Sequence, residues 1–232
     1  GMGPEIVRYL PDTDWGVHEL YNFAASLGIV LIHAHYSRYV IDLNRDPTGG
    51  QLYHDGRQET GLVPMRTFAG EKIYRNENLQ PNAEEIVRRL RIYYAPYHAA
   101  LKKLLADLKQ EFSNVLLFEA HSIVRLVPTI RADQLPDLML GDLDGRTAHQ
   151  DLSTTALAEL RAEAAFSTAY NNPFKGGYIT RSFAAPNLGL HALQLEMSQD
   201  LYWDAQNQTI DHTRTIPLRV VLSNLLQKLT MT

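Results

Sequence analysis

The chain has 232 residues, 45% of them hydrophobic, which is enough to bury a substantial core in one large domain or two small ones. Its formal net charge of -4 provides no basic field, so we expect no nucleic-acid partner. Because the chain has no cysteine, any metal ion would be held by His, Asp or Glu. No apolar run reaches the ~20 residues of a membrane span, and the first residues lack a signal-peptide pattern. These features predict no membrane partner and a cytoplasmic location.

The N-terminal third predicts a helix, a β region and a long loop. Asp12 or Thr13 can cap a helix over residues 15–28 (WGVHELYNFAASLG), which Gly28 would end. The apolar run at residues 29–43 (IVLIHAHYSRYVIDL) favours β structure. Residues 44–82 are dense in Gly, Pro, Asn and Asp and predict a long loop. Such a loop in a compact domain is more often functional than idle.

The rest of the chain predicts alternating helices and strands. Asn82 and Glu85 resemble a capping box and predict a helix over residues 83–112, adjusted near Pro96. Strands are expected at NVLLFEA (114–120) and HALQLEM (191–197), and helices over residues 153–170 and 214–229. This alternation favours a mostly parallel sheet with helices on both faces. Since no repeat or low-complexity linker interrupts residues 1–232, we expect a single domain.

Two of the predicted strands carry polar side chains that could perform chemistry. In FEAHSI, Glu119 and His121 are two positions apart and therefore point to the same side of a strand. They lie towards its carboxyl end, where open α/β sheets bind ligands. The same pair of polar residues would also be expected where a buried strand simply ends in solvent. Both interpretations stay open. In HALQLEM, Glu196 is costly to bury unless it is paired, bound to metal or protonated for a purpose. His191, on the opposite face, is expected to be structural.

Several basic residues predict a site for a small acidic molecule. Arg38 and Arg45 flank an apolar segment in YSRYVIDLNR, and Arg is the usual receptor of a small carboxylate. Surface ion pairing is the alternative for each of them. Lys175 and Arg181 lie on either side of the Gly-Gly turn in FKGGYITR, where the backbone can approach a ligand closely.

Seven segments, taken in chain order, resemble the N-formylglutamate amidohydrolase (N-formylglutamate deformylase) family. They are LPDTDW, YSRYVIDLNR, TGLVP, EAHSI, LPDLMLG, FKGGYITR and HALQLEM, and they extend from Pro11 to Met197. The resemblance implies an α/β fold, a three-layer αβα sandwich around a mixed, mostly parallel sheet. This fold would be phosphorylase/hydrolase-like and similar to that of the zinc carboxypeptidases. The implied reaction is the metal-dependent hydrolysis of N-formyl-L-glutamate to formate and L-glutamate, a step of histidine degradation.

The resemblance also implies roles for individual residues. His121 and Asp14 would be zinc ligands, with Asp12 as the alternative to Asp14. Glu196 would be the general base that activates water and later protonates the leaving amine, and Glu119 would support the metal site or act as an alternative base. The substrate would be bound by Arg38, Asn44, Arg45, Lys175 and Arg181. The same ligand types would also suit Fe(II), Mn(II) or Co(II).

The chain departs from the family pattern at several positions. Members usually carry, tens of residues before DTDW, a strand that ends in Pro-His-Ala/Ser-Gly and whose His would complete the metal site. Only about ten residues precede DTDW here, so we expect either a chain without this strand or a member that has lost a ligand. Pro173 stands where the family often has Arg. The alternative function is therefore a non-catalytic relative that binds a small dicarboxylate or an N-acyl amino acid.

Overall fold

The main sheet is a mixed sheet, as predicted. The computed structural model describes residues 1–53 and 59–231. The sheet contains β1 Val115–Ile123, β2 Leu138–Gly141, β3 Thr168–Tyr170 and β4 Leu190–Ser198, in the spatial order β1-β4-β2-β3. β1 is parallel to β4 and β2 is parallel to β3, whereas β2 and β4 are antiparallel. Two further strands, β5 Trp203–Asp204 and β6 Thr209–Ile210, form a separate antiparallel pair.

Helices cover both faces of this sheet. In the described ranges, the α-helices are α1 Pro4–Tyr9, α2 Val17–Leu20, α3 Ala83–Arg89, α4 Ala95–Glu111, α5 Gln150–Ala162, α6 Tyr178–Phe183 and α7 His212–Leu229. Short 3-10 helices lie at Asn22–Leu27, Glu77–Leu79, Pro186–Leu188 and Gln199–Leu201. In the described part of the chain, no helix combines the length and apolarity needed to cross a membrane.

Strand alternation gives β4 one apolar face and one polar face. Leu193, Leu195 and Met197 belong to the largest buried cluster, which α2, α5 and α7 complete on one side of the sheet. Gln194 and Glu196 point to the other side, where α6 packs. The candidate site therefore lies on the face opposite the main core.

The helix over residues 83–112 forms with one local change. The Asn82 side chain accepts a hydrogen bond from the Glu85 backbone N–H at 2.9 Å, which confirms the predicted N-cap. A π-helical turn at Leu90–Tyr94 joins α3 to α4, and the Ala95 N–H donates to the Leu90 carbonyl. Pro96 lacks an N–H and its ring crowds the preceding turn, which accounts for the wider turn just before it.

Two predictions for the N-terminal region are wrong. The helix predicted over residues 15–28 is only α2 followed by a 3-10 helix. Its N-cap is Gly16 (φ 67°) rather than Asp12 or Thr13, although Gly28 (φ 73°) ends it as predicted. No strand forms over residues 29–43, because no neighbouring strand in the described ranges pairs with this segment. The long loop over residues 44–82 is confirmed apart from one 3-10 turn, and residues 54–58 of it lie outside the described residues.

Two predicted boundaries in the C-terminal half also need correction. The helix predicted over residues 153–170 is α5, which begins at Gln150 and ends at Ala162, and its last three predicted residues form β3 instead. Hydrogen bonding to β2 overrides the Ala-rich helical pattern there. The strand at FEAHSI continues to Ile123, so His121 lies within β1 rather than after its end.

Candidate active site

The candidate site is centred on His121, near the carboxyl end of β1. Nδ1 of His121 lies 3.2 Å from Oδ2 of Asp14, and Nε2 lies 3.2 Å from Oε1 of Glu119. Nδ2 of Asn44 is also 3.2 Å from Nε2. Glu119 reaches His121 because residues i and i+2 of a strand share a face, whereas Asp14 arrives from the loop before α2. An imidazole between two carboxylates is thus the core of the site.

A buried hydrogen-bond network positions Asp14. Its Oδ1 accepts the Ser122 N–H at 2.8 Å. The backbone carbonyls on either side of Asp14 accept hydrogen bonds from Gln199 Nε2 at 2.6 Å and from the Tyr202 hydroxyl at 2.7 Å. Sequence reasoning missed Gln199 and Tyr202, because a Gln and a Tyr that follow a strand have no distinctive spacing. The segment after β4 therefore holds the Asp14 loop against the end of β1.

The first turn of α6 is attached to the site by polar side chains. Thr180 donates to Glu119 Oε2 from its backbone N–H at 2.8 Å and from its hydroxyl at 2.5 Å. Asn44 Oδ1 accepts the Ile179 N–H at 2.8 Å, and Gln194 accepts another backbone N–H of this turn at 2.6 Å. Glu119 thus contacts both the helix and the imidazole, and Asn44 holds the helix.

Glu196 faces His121 from the neighbouring strand. The two residues are paired in the β1–β4 register, and Glu196 is only 8% exposed. Burial raises the pKa of Glu196 to about 8, with Asp14 and Glu119 acting in the same direction and His121 acting against it. A carboxyl group with this pKa exchanges a proton near neutral pH, which is what a general acid–base residue requires.

The charges of Asp14 and His121 stabilise each other. Burial acts to raise the pKa of Asp14, but the adjacent His121 and the Arg38 charge outweigh it and lower that pKa. Burial likewise acts to lower the pKa of His121, but Asp14 and Glu119 hold it well above the usual value. The two carboxylates thus favour the protonated form of His121.

A cavity of about 80 Å³ brings together most of the predicted residues. Its lining includes Asp14, Arg38, Asn44, Arg45, His121 and Glu196. Arg38 donates to Asp42 Oδ2 at 2.7 Å, and Arg45 donates to the Thr60 carbonyl at 2.8 Å. Both arginines are therefore held in place beside the site by protein acceptors.

Two predicted substrate ligands lie outside this lining, among the residues that the structure describes. Lys175 forms an ion pair with Asp144, with Nζ 2.9 Å from Oδ2. Arg181 donates to the Leu52 carbonyl at 2.5 Å and packs over the Tyr53 ring. The substrate-binding roles of Lys175 and Arg181 stay predictions.

The described residues do not complete a zinc site. Within residues 1–53 and 59–231, no group of three or more His, Asp or Glu side chains is arranged to hold a metal ion. Asp14 and His121 offer two adjacent donors, but a metal needs the neutral imidazole and catalytic zinc normally takes three protein ligands. Asp12, the alternative ligand, instead accepts hydrogen bonds at 2.8 Å from the Tyr39 hydroxyl and the Phe68 N–H. Zinc and its ligands stay predictions.

Fold and site together define an α/β protein with a buried acid–base centre at the strand ends of a mixed sheet, an arrangement suited to hydrolysis. The family model for N-formylglutamate amidohydrolase matches residues 4–203. The chain belongs to this family, and it is therefore an amidohydrolase, an enzyme that acts on a C–N amide bond.

Individual relatives agree with this assignment. The N-formylglutamate deformylase of Pseudomonas aeruginosa is 43% identical over 202 residues, which are 87% of this chain and 75% of the relative. That of Pseudomonas putida is 38% identical over 226 residues, covering 97% and 84% of the two chains. The crystal structure of N-formylglutamate amidohydrolase from Ralstonia eutropha matches with a TM-score of 0.79 and 28% identity, over 99% of this chain and 84% of that one. The resemblance seen in the seven segments is thereby confirmed.

Proposed function

We propose that this chain hydrolyses N-formyl-L-glutamate to formate and L-glutamate, the activity that the names of its Pseudomonas relatives give to those proteins. The observation that carries the proposal is the placement of Glu196 opposite His121, at a cavity that Arg38 and Arg45 also line. The arginines supply positive charge for a glutamyl group with two carboxylates. A role in histidine degradation and dependence on a divalent metal, with zinc expected, belong to the same proposal.

Glu196 can carry the proton that this hydrolysis transfers. In its ionised form it takes a proton from water as the water oxygen bonds to the formyl carbon. It returns that proton to the substrate nitrogen as the C–N bond breaks, and the formyl carbon leaves as formic acid. Formic acid then loses its proton at neutral pH, the amine gains one, and Glu196 is ionised again.

The charges around the cavity favour the intermediate of this reaction. Negative charge develops on the formyl oxygen when water adds, and fixed cations in a site that excludes bulk water stabilise such charge. The charges of His121 and Arg38 both act on Glu196, and both oppose its raised pKa. His121 has this role only while it is protonated and binds no metal, since a metal needs the neutral imidazole.

Formate release from N-formyl-L-glutamate tests the proposal. The protein would be assayed as purified, after removal of metal by a chelator, and after return of zinc, and the metal bound per chain would be counted. Formate release supports the activity, and its dependence on about one returned zinc per chain would support the metal. Binding of N-formylglutamate without formate release under all three conditions would favour the non-catalytic alternative.

A Glu196→Gln substitution tests the assigned base. The amide cannot take a proton from water, so we expect the turnover number to fall by about 10²- to 10⁴-fold while substrate still binds. The matched control is Glu111→Gln, at the exposed end of α4, which should keep full activity. Unchanged turnover in Glu196→Gln would remove Glu196 from this role.

A further inference from the structure

One buried carboxylate pairs with both arginines of the cavity. Asp42 is 2% exposed, and its Oδ2 accepts hydrogen bonds from Nη2 of Arg38 at 2.7 Å and from Nε of Arg38 at 3.2 Å. Nη1 of Arg45 lies 3.8 Å from the same oxygen. The other oxygen, Oδ1, accepts the Asn44 N–H at 3.0 Å. The two guanidinium groups therefore share one carboxylate oxygen as their ion-pair partner.

The charge on Asp42 offsets the repulsion between the two arginines. Burial acts to raise the pKa of Asp42, but the charges of Arg38 and Arg45 and the hydrogen bond from the Asn44 N–H outweigh it and lower that pKa. Asp42 is therefore ionised at neutral pH. Two like charges that are close together repel strongly where water is scarce, and an anion that contacts both offsets this repulsion. Without Asp42, the two arginines would move apart or turn to other acceptors.

Each arginine keeps donors for a ligand. A guanidinium group has five N–H groups. Hydrogen bonds to protein acceptors use three of these on Arg38 and three on Arg45. Among the described residues, these acceptors leave two N–H groups on each arginine, and both side chains line the cavity. Two such arginines match a substrate that has two carboxylates.

Asp42 does not reach the cavity itself. In the part of the chain that the structure describes, the lining includes Arg38, Asn44 and Arg45 but not Asp42. Asp42 therefore acts through the arginines rather than on a ligand. Binding groups that are held in place before the ligand arrives lose less entropy when it binds. This benefit is greatest for a ligand that uses both arginines, so the arrangement favours two carboxylates over one.

We propose that Asp42 is the positioning residue that sets the spacing of Arg38 and Arg45, and that this spacing makes the site select an N-formyl amino acid with two carboxylates. The proposal rests on the proposed function, since it names the feature of the substrate that the same site recognises. A purely structural ion pair would affect all substrates alike. Selection between substrates is therefore the property to measure.

The test compares N-formyl-L-glutamate with N-formyl-L-glutamine, whose side chain has nearly the same shape but no charge. The preference is the ratio of kcat/KM for the two substrates, measured by formate release. We expect Asp42→Asn to lower this preference by about tenfold or more, through a higher KM for N-formyl-L-glutamate at a nearly unchanged kcat. Loss of the charge alone would act the other way, because removal of an anion beside the site strengthens the binding of a dianion. Tighter binding of N-formyl-L-glutamate by Asp42→Asn therefore overturns the proposal.

Two further variants separate selection from stability. Asp142→Asn removes a similarly buried carboxylate that lies outside the described lining of the cavity, so it should lower stability and leave the preference unchanged. If Asp42→Asn does not fold, Asp42→Glu replaces it. This variant keeps the charge but displaces the carboxylate by one methylene group, and we expect the preference to fall here as well. An unchanged preference in the folded variant overturns the proposal.

Binding measured without turnover separates this proposal from the proposed reaction. Calorimetry in the Glu196→Gln background gives the preference as a ratio of two dissociation constants, with and without the change at Asp42. If the wild type releases no formate, the proposed reaction is wrong, whereas calorimetry still decides on Asp42. A Glu196→Gln protein that binds the two ligands equally, or binds neither, overturns the role of Asp42 in selection.

Discussion

At the scale of single residues, the placement of Asp14 depends on the buried hydroxyl of Tyr202. This hydroxyl lies 2.7 Å from the Trp15 carbonyl and 2.8 Å from Ser122 Oγ. Tyr202→Phe removes it and leaves the carbonyl unpaired in a buried position, so we expect the free energy of unfolding to fall by about 1–3 kcal/mol. We also expect a lower turnover number, because Asp14 would no longer be held against His121. Urea unfolding and formate release measure the two effects.

An exposed tyrosine provides the control for this variant. Tyr9 is 45% exposed, and Tyr9→Phe should change neither stability nor turnover. If Tyr202→Phe behaves in the same way, then the network does not position Asp14. A loss of stability with an unchanged turnover number would restrict Tyr202 to a structural role.

The site could be predicted from the sequence only where residues are close along the chain. The spacing of Glu119 and His121 is sufficient to place them on one face, and the structure confirms their contact. The contact between Asp14 and His121 joins residues 107 positions apart and could be expected only from the family resemblance. The hydrogen bonds of Gln199 and Tyr202 could not be predicted, because they depend on how the chain turns after β4.

At the scale of elements, Asp142 joins β2, β3 and α5. Its Oδ2 accepts the hydroxyls of Ser153 and Tyr170 at 2.5 Å each, and its Oδ1 accepts the Asn171 side chain at 2.8 Å and the Gly145 N–H at 2.9 Å. Because Asp142 is fully buried, replacing a charged acceptor by an amide should destabilise the protein by about 2–3 kcal/mol. Urea unfolding of Asp142→Asn at neutral pH measures this loss, and Asp133→Asn, at an exposed position, is the control.

The same carboxylate predicts a pH dependence of stability. Burial acts to raise the pKa of Asp142, but hydrogen bonds from Ser153, Tyr170 and Asn171 outweigh it and lower that pKa. A group whose pKa is lower in the folded state stabilises the protein above its unfolded value of about 3.9, and this contribution disappears as the pH falls through the folded value. The difference between the wild type and Asp142→Asn should therefore shrink below about pH 4. An equal difference at neutral and acidic pH would contradict the assignment.

Elements were predictable where local signals and packing agree. The Asn82 cap, the apolar strand β4 and the terminal helix α7 all follow from patterns within a few residues, and each forms. The three-residue strand β3 was missed because its pairing with β2 is a long-range interaction. The apolar run at residues 29–43 has β character, but a strand forms only where a neighbouring strand accepts its hydrogen bonds.

At the scale of the whole molecule, one buried cluster connects α2, α5, α7, β2 and β4, and it predicts a single cooperative unit. Leu222 of α7 is fully buried in this cluster, so Leu222→Ala should lower the free energy of unfolding by about 2–5 kcal/mol. Trp15 and Trp203 stack with their ring centroids 5.6 Å apart, and Trp203 packs against the same cluster. Tryptophan fluorescence and far-UV circular dichroism should therefore report one coincident urea transition, which Leu222→Ala shifts equally for both probes.

Val220→Ala, at a 55% exposed position of the same helix, should shift neither probe. Transitions that separate between the probes would show that residues 1–232 do not unfold as one domain.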